Sequence, residues 1–515
     1  MAGSWNEKRA GEHVDKLIEA TNEVEIVDYC RDTTLENIPV WKAYRVQAAH
    51  VYADILNLGD MLGTTSVEGE TCHKRTLRFL DLHYRALSRI ISQAGARRVD
   101  FHNQRLHAVV TKPYDTQDDA ESSRVAAAVA MADMIIEVLG SISEQDENIP
   151  PAEVRVGIDT GEALAVNNGR NGGREPLFLG RPANIAAKLS CAGDAVGIFL
   201  SNEAREAVGL AQVRQPSTTR LTRAEIDECV ELAGLDLDAD EVIDDWREDM
   251  DKRPLGKIAF TAHTPPLRTL DITALTPGNS RRQDAASLYA DIDGFTAYIA
   301  NHIDDDPESV VKAFHVIRGE LDRVLTCDFD GRRIRFIGDC LHGLVCVGTA
   351  ETTDAEATVD AAILCAGALR SSFGLCLEKL AADGVDTAGL DLAIGVEYGP
   401  MTVTRLGMKG RRVRCSVSRG VLACEEEQRR CGADETAIGL EAYGVASVAA
   451  RALFSDDRLA DGLDHAAAVA GLSAKQATAK AASGGGMLRQ ATAAAGAGLA
   501  FPTRAATPAK PAGFA

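Results

Sequence analysis

Positive charge is scarce in this sequence. Its 515 residues carry 55 lysines and arginines against 76 aspartates and glutamates, a formal net charge of −21. That balance excludes a general nucleic-acid binder, which needs a basic face. An anionic ligand would need a locally positive or metal-loaded site against such a background. The chain also has no run of 18 apolar residues, so no membrane span is predicted. Its first residues, MAGSWNEKRAGEHVDK, are too polar for a secretory signal. Twelve cysteines are scattered without a C-x-x-C pair or histidines at zinc spacing. Disulfides and a structural zinc are disfavoured, and reduced thiols in a cytosol are expected. What the chain does have is 45% hydrophobic content, enough for buried cores in two or three domains.

Tyr-Ala-Asp-Ile occurs twice, at residues 52–55 and 289–292. Laying Asp54 on Asp291 brings further segments into register. The run from Gly95 (GARRVDFHNQRLHAVV) falls on the run from Gly331 (GRRIRFIGDCLHGLV), and VRVGIDTG at 154 falls on LAIGVEYG at 392. Matches in one order at a nearly constant offset mean a duplicated domain. Each copy alternates strand-like and helix-like patterns, which predicts an α/β (α+β) layer fold with a sheet covered on one face. In the second copy the reading is a short strand at 288–292, then an amphipathic helix over PESVVKAFHVIRGELDRVL. A hairpin around Gly338-Asp339, an Ala-rich helix at 355–381, two strands about Gly395 and Gly399, and a helix near 418–430 complete it. The expected layout is an N-terminal helical extension (1–44), a first copy (45–265), a linker (266–282), a second copy (283–454) and an Ala/Gly-rich tail (455–515). Residues 220–252 form an acidic helical insertion, and the tail cannot bury enough apolar surface to order itself.

Asp291 ends a strand and Asp339 lies in the next hairpin, so adjacent strands would bring the two carboxylates together. The turn Asp293-Gly294-Phe295-Thr296 would offer backbone N–H groups to phosphate at a helix N-terminus. Paired carboxylates beside such a turn suit two divalent cations about 3.5–4 Å apart, driving an in-line displacement. Taken alone, Asp291 or Asp293 would equally serve as a helix cap; the Gly-Asp hairpin at the right distance favours metal.

LYADIDGFT followed by RIRFIGDC resembles the class III nucleotidyl cyclase domain, over roughly 45–265 and 283–450. The resemblance implies two tandem ferredoxin-like domains forming an intrachain pseudodimer. It implies Mg²⁺ or Mn²⁺, two ions held by Asp291, Asp339 and the Ile292 carbonyl, and a nucleoside triphosphate substrate. In that family the opposite face supplies an Asn and, four residues on, an Arg within G-x-x-x-N-x-A-x-R-L. The first copy reads LGRPANIAAKL, which assigns Asn184 to the ribose and Lys188 to the α-phosphate. Lysine keeps the charge but not the bidentate fork, and a solvated helix lysine is the alternative for Lys188. The copies are complementary. Gln104 stands where Asp339 stands in the second copy, while Leu422 and Glu426 stand where Asn184 and Lys188 stand in the first. One live site is expected, with a dead pseudosite carrying Asp54, Gln104, Leu422 and Glu426.

The positions that read adenine in this family hold Asp100 and Leu177, which argues against an adenylate cyclase. Guanine-specific members usually carry a Glu where Asp100 stands. The tandem arrangement resembles the Pycsar anti-phage pyrimidine cyclases, of the uridylate cyclase type. That resemblance favours UTP over CTP, since Asp100 could accept from either pyrimidine. It implies a cytoplasmic enzyme whose cyclic nucleotide acts on a separate effector, with neither nucleic acid nor membrane as partner. A guanylate or cytidylate cyclase, and a non-catalytic nucleotide-binding regulator, are the alternatives; a diguanylate cyclase is disfavoured because no G-G-D/E-E-F hairpin is present. Lys252, Arg253 and Lys257 are candidates for the triphosphate tail, and further pairing of chains stays open.

Overall fold

The computed structural model describes residues 4–114, 118–142, 149–168 and 176–482. The first copy builds a sheet from β1 (Glu25–Asp28), β2 (Lys42–Ile55), β3 (Arg97–His102), β4 (Arg105–Val110), β5 (Val154–Val166), β6 (Leu177–Leu179) and β7 (Gly197–Leu200). The second builds one from β8 (Phe260–Thr261), β9 (Ser280–Asp293), β10 (Arg332–Ile337), β11 (Cys340–Val345), β12 (Asp391–Leu406), β13 (Val413–Val417), β14 (Glu435–Ile438) and β15 (Leu459–Asp461). The central order is β3-β4-β2-β5 in one and β10-β11-β9-β12 in the other. That is the βαββαβ order of a ferredoxin-like fold, in two copies.

Strand alternation decides how the copies meet. Val51, Ala53 and Ile55 enter one core beneath the helices Glu70–Gln93 and Asp118–Ser141. Leu288, Ala290 and Ile292 enter another beneath Pro307–Arg323 and Ala355–Ala382. Tyr52 and Tyr289 point the other way, into a cluster that both copies share with Ala186, Ala187, Val421 and Cys424. Each sheet therefore has helices on one face and the other copy on its second face. The copies also exchange arms. Leu177 and Leu179 of β6 join the second copy's core, while Cys415 and Val417 of β13 join the first copy's.

Gly395 and Gly399, expected on two strands, lie within the single strand β12. A Cβ at Gly395 would stand 2.5 Å from the Cys424 carbonyl oxygen, so this glycine admits the helix Arg419–Arg429 rather than a turn. Likewise β9 spans 14 residues instead of a short 288–292 segment, because β12 pairs with it from Asp293 back to Arg281.

The ends of the chain depart further from expectation. The extension 1–44 holds a helix, Glu7–Ala20, but also β1 and the start of β2. That helix docks on the second copy: Arg9 and His13 pair with Glu320, and Trp5 Nε1 donates to Ser372 at 2.7 Å. In the first copy the acidic insertion does the same service, its helix Ala239–Lys252 seating Trp246 Nε1 on the Leu82 carbonyl. The expected disorder from 455 is corrected. β15 pairs with β14, and Leu463, Ala468 and Leu472 pack on Val359 and Ile363, so apolar partners exist for this stretch. Residues 483–515 lie outside the described residues. Ala355–Ala382 has the length and mean hydropathy (1.4) to cross a bilayer, but 72% of that window is buried within the fold.

Candidate active site

Asp291 sits on the face of β9 that is turned toward the first copy, as does Tyr289 two residues earlier. Leu341 of β11 stands opposite Ala290. Continuing that antiparallel register sets Cys340 beside Asp291 and Asp339 beside Ile292. A two-residue loop, Gly338-Asp339, closes the hairpin, with Gly338 at the positive φ (+59°) such a tight turn demands. Asp291 and Asp339 are both buried. Burial first, and then the charges of Asp291 and Asp339, push the Cys340 thiol well above its ordinary pKa, so one sulfur senses both carboxylates. Asp291 Oδ2 also accepts from Gln428 Nε2 at 3.3 Å. Among the described residues no group of three or more His, Cys, Asp or Glu forms a closed metal cage. Two carboxylates at an open edge instead suit Mg²⁺, which takes one or two from protein and completes its shell with substrate phosphates and water.

Beyond β9 the chain turns on Gly294 (φ +78°) into the helix Phe295–His302. A Cβ there would collide with the Gly389 carbonyl, so the turn requires glycine twice over. The side chain of Phe295 is buried against Tyr298 and Phe314, leaving its backbone for the helix N-terminus. In the first copy Asn57, at φ −94°, precedes the shorter helix Leu58–Gly63 without a side-chain capping hydrogen bond, and the tight turn is gone.

The first copy's helix Arg181–Ser190 brings Asn184 to this turn. Asn184 Nδ2 donates to Thr296 Oγ1 at 3.2 Å. The helix lies close because Gly157 faces it: a Cβ there would stand 2.6 Å from the Ser190 nitrogen. Lys188 follows one turn after Asn184 and is exposed. Asp291, Asp339, the 293–296 turn and Asn184 thus come from two halves to one place.

An open cleft adjoins it, lined by Tyr52, Asp100, His102, Arg105, His107 and Leu177 from the first copy and by Phe336, Ile337 and Gly338 from the second. Asp100, expected to meet a base by itself, is ion-paired: Arg335 Nη1 lies 3.3 Å from its Oδ1. Sequence reading missed Arg335, although its place four residues before Asp339 mirrors that of Asp100 before Gln104.

At the equivalent place in the other half, cations occupy the carboxylates. Arg105 stands where Cys340 stands in the second copy, and its Nε meets Asp54 Oδ2 at 3.0 Å. Its Nη1 meets Glu425 at 2.6 Å, and Arg429 meets the same carboxylate at 2.6 Å. Burial alone would raise Glu425, but Arg105, Arg429 and His102 hold its carboxyl well below the usual range. The carboxylate these cations meet is Glu425; Glu426 is exposed, as is Lys188 at the equivalent position of the first copy. Gln104 contributes only its backbone carbonyl, to Ile55 N at 3.2 Å, and Leu422 packs against the first core. Of the cations considered for a triphosphate, Lys252 pairs with Glu248 and Arg253 with Asp249 on their own acidic helix, and Lys257 follows in the loop leading to β8.

Two ferredoxin-like halves face to face, with strand-end and hairpin carboxylates of one opposite an amide of the other, define a class III nucleotidyl cyclase fold. The adenylate and guanylate cyclase catalytic domain matches residues 47–226 and 279–416, and the chain belongs to this family. It is 55% identical to a uridylate cyclase of Pseudomonas aeruginosa over 94% of this chain and 95% of that protein. A uridylate cyclase of a Rhizobium species is 40% identical over 83% of this chain and 84% of its own. The crystal structure of a class III adenylyl cyclase-like ATP-binding protein from Pseudomonas aeruginosa is 56% identical. It superposes with a TM-score of 0.90 over 92% of this chain and all of that one.

Proposed function

We propose that this chain converts UTP to cyclic 3′,5′-UMP and pyrophosphate at one asymmetric site per chain. The observation that carries the single site is the Asn184–Thr296 hydrogen bond, which joins the intact wall of each half. Two relatives named uridylate cyclases, similar over most of the chain, support UTP as the substrate.

The residues divide the work. Backbone N–H groups of Gly294, Phe295 and Thr296, at a helix N-terminus, receive phosphate oxygens, with Asp293 opening the turn. Asn184 orients the ribose so that its 3′ oxygen faces the α-phosphorus. Lys188 counters the negative charge that develops there. As the P–O bond to the α-phosphorus forms, the bond to pyrophosphate breaks and the 3′ proton passes to solvent. Asp291, Asp339 and the Ile292 carbonyl would hold two Mg²⁺ or Mn²⁺ ions, which when bound activate the 3′-hydroxyl and neutralise the departing pyrophosphate. Asp100 and Leu177 face the base. The setting we infer is cytoplasmic anti-phage defence, the cyclic nucleotide acting on a separate effector protein.

Purified protein with Mn²⁺ and each of ATP, GTP, CTP and UTP in separate reactions, products resolved by mass, tests this. Cyclic UMP with pyrophosphate supports it. A cyclic product from another nucleotide keeps the shared site and overturns the UTP reading. No cyclic product from any of the four overturns catalysis by the chain alone.

A further inference from the structure

Asp100 and Arg335 occupy equivalent positions in the two copies. Each follows a β-bulge: pairing shifts between Arg98 and Asp100 against β4, and between Arg333 and Arg335 against β11. A bulge re-aims the side chains beside it and is over-represented next to active sites. Here the two re-aimed side chains meet across the interface, with Arg335 Nη1 3.3 and 3.5 Å from the two Asp100 oxygens. The guanidinium is almost fully buried, and its Nη2 donates to the Arg414 carbonyl at the base of the exchanged β13 arm. The carboxylate also accepts from the Phe101 N–H at 2.9 Å. Two identical copies would set like side chains against each other here. Opposite charges can meet only because the copies diverged within one chain.

The pair stands at the wall of the cleft. Asp100 and Leu177 line it from the first copy, and the residues directly after Arg335 (Phe336, Ile337, Gly338) line it from the second. Gly338 leads straight into the carboxylate turn at Asp339. A direction fixed at Asp100 is therefore fixed relative to the phosphate end of the site as well.

We propose that Arg335 is a positioning residue for base recognition. It holds the Asp100 carboxylate as an acceptor toward the Watson–Crick edge of the pyrimidine, so that base selection is shared between the two halves. An ionised carboxylate only accepts hydrogen bonds. A uracil N3–H satisfies it, whereas a ring-nitrogen lone pair in the same place repels it. The planar fork of arginine sets the carboxylate's direction, which an ammonium does not. This deepens the UTP reading and rests on it.

The test uses Arg335→Lys, Asp100→Asn and the charge-swapped pair Asp100→Arg/Arg335→Asp in the full chain. Turnover with all four nucleotides and thermal unfolding are measured for each. Arg335→Lys is expected to raise KM for UTP roughly tenfold with a smaller change in kcat, and to erode the preference over CTP by a similar factor. Asp100→Asn, which offers both a donor and an acceptor, loses the preference. The swapped pair recovers the unfolding temperature of the parent but not its preference. Parental preference in the folded swap, or in both single variants, overturns the proposal. If the swap does not fold, the two near-isosteric single variants decide. Should the parent prefer another nucleotide, the UTP reading fails by itself, and loss or retention of that other preference still tests the pair.

Discussion

The amide of Asn184 donates to the hydroxyl of Thr296 at 3.2 Å, and the two residues belong to different copies of the duplicated domain. One hydrogen bond ties the helix Arg181–Ser190 of the first half to the 293–296 turn of the second. Asn184→Ala is expected to lower kcat by ~10²–10³ without loss of fold, the cost of removing one oriented donor at a charged transition state. Thr296→Val removes only the partner of that amide and should cost less. Steady-state kinetics on both variants checks the order.

Arg105 and Cys340 are equivalent positions with opposite consequences. In the first copy a guanidinium lies on Asp54; in the second a thiol lies beside Asp291. Cys340→Arg should convert the live site into a copy of the dead one. The expected result is no turnover at any Mn²⁺ concentration with secondary structure retained. Asp291→Ala and Asp339→Ala should likewise abolish turnover. Parental turnover by the Arg variant would contradict the metal assignment.

Asp54 is a structural carboxylate in this arrangement. Asp54→Ala is expected to keep turnover within a few-fold of the parent while lowering the unfolding temperature. Arg105→Ala should be far worse, by about 3–5 kcal/mol, because it strands Asp54 as a buried charge and leaves Glu425 to Arg429 and His102. Glu425 has a folded pKa depressed below its unfolded value, so its contribution is present above the unfolded pKa and is lost as pH falls through the folded one. Denaturant unfolding of the parent and Arg105→Ala should therefore converge in acid. Loss of turnover in Asp54→Ala equal to that in Asp291→Ala would sink the one-site reading.

Asp159 links stability to pH near the helix Arg181–Ser190. Its carboxylate receives the Ser201 hydroxyl and lies 3.4 Å from Arg181, the first residue of that helix. Burial pushes its pKa from 3.8 up to about 7, against the pull of Ser201 and Arg181. Between those values the folded state keeps a proton that the unfolded state has lost. Stability should thus fall as pH rises from about 4 to about 7 and level off above. Asp159→Asn removes this dependence, and urea unfolding at pH 5, 6 and 8 should show a shallower slope. Glu397, its raised counterpart in the second copy, leaves a residual slope of the same sign.

Gly157→Ala tests the seating of the Asn184 helix. The added methyl would press on the Ala186 carbonyl oxygen and the Ser190 nitrogen, backbone atoms that can yield only if the whole helix shifts. A loss of kcat larger than the loss of stability is expected, measured at a temperature where both proteins are folded. Gly395→Ala, which displaces the pseudosite helix, should cost mainly stability.

The duplication, the order of strands and helices, and the adjacency of the strand that ends at Asp291 to the Asp339 hairpin were legible in the linear chain, because alternation and 3.6-residue spacing are local and the repeat supplies its own control. The turn at Gly294 was legible too, since a tight positive-φ turn restricts residue choice. Illegible were the partnerships between halves. Nothing local sets Asp100 against Arg335, or tells Glu425 from Glu426, because which residue of a helix faces inward depends on how that helix is rotated against a distant strand. The stretches about Gly395 and Gly399 read as two strands, whereas they form one, and Gly395 marks the approach of a helix nearly thirty residues further on. The stretch just after 455 read as tail for the same reason. Its alanines are buried only because Ala355–Ala382 and β14 wait for them. By itself the sequence determined the elements, the two copies and the carboxylates that survive in one of them. Tertiary structure alone decided which charges meet, because a buried ion pair depends on distances between residues that the chain sets hundreds of positions apart.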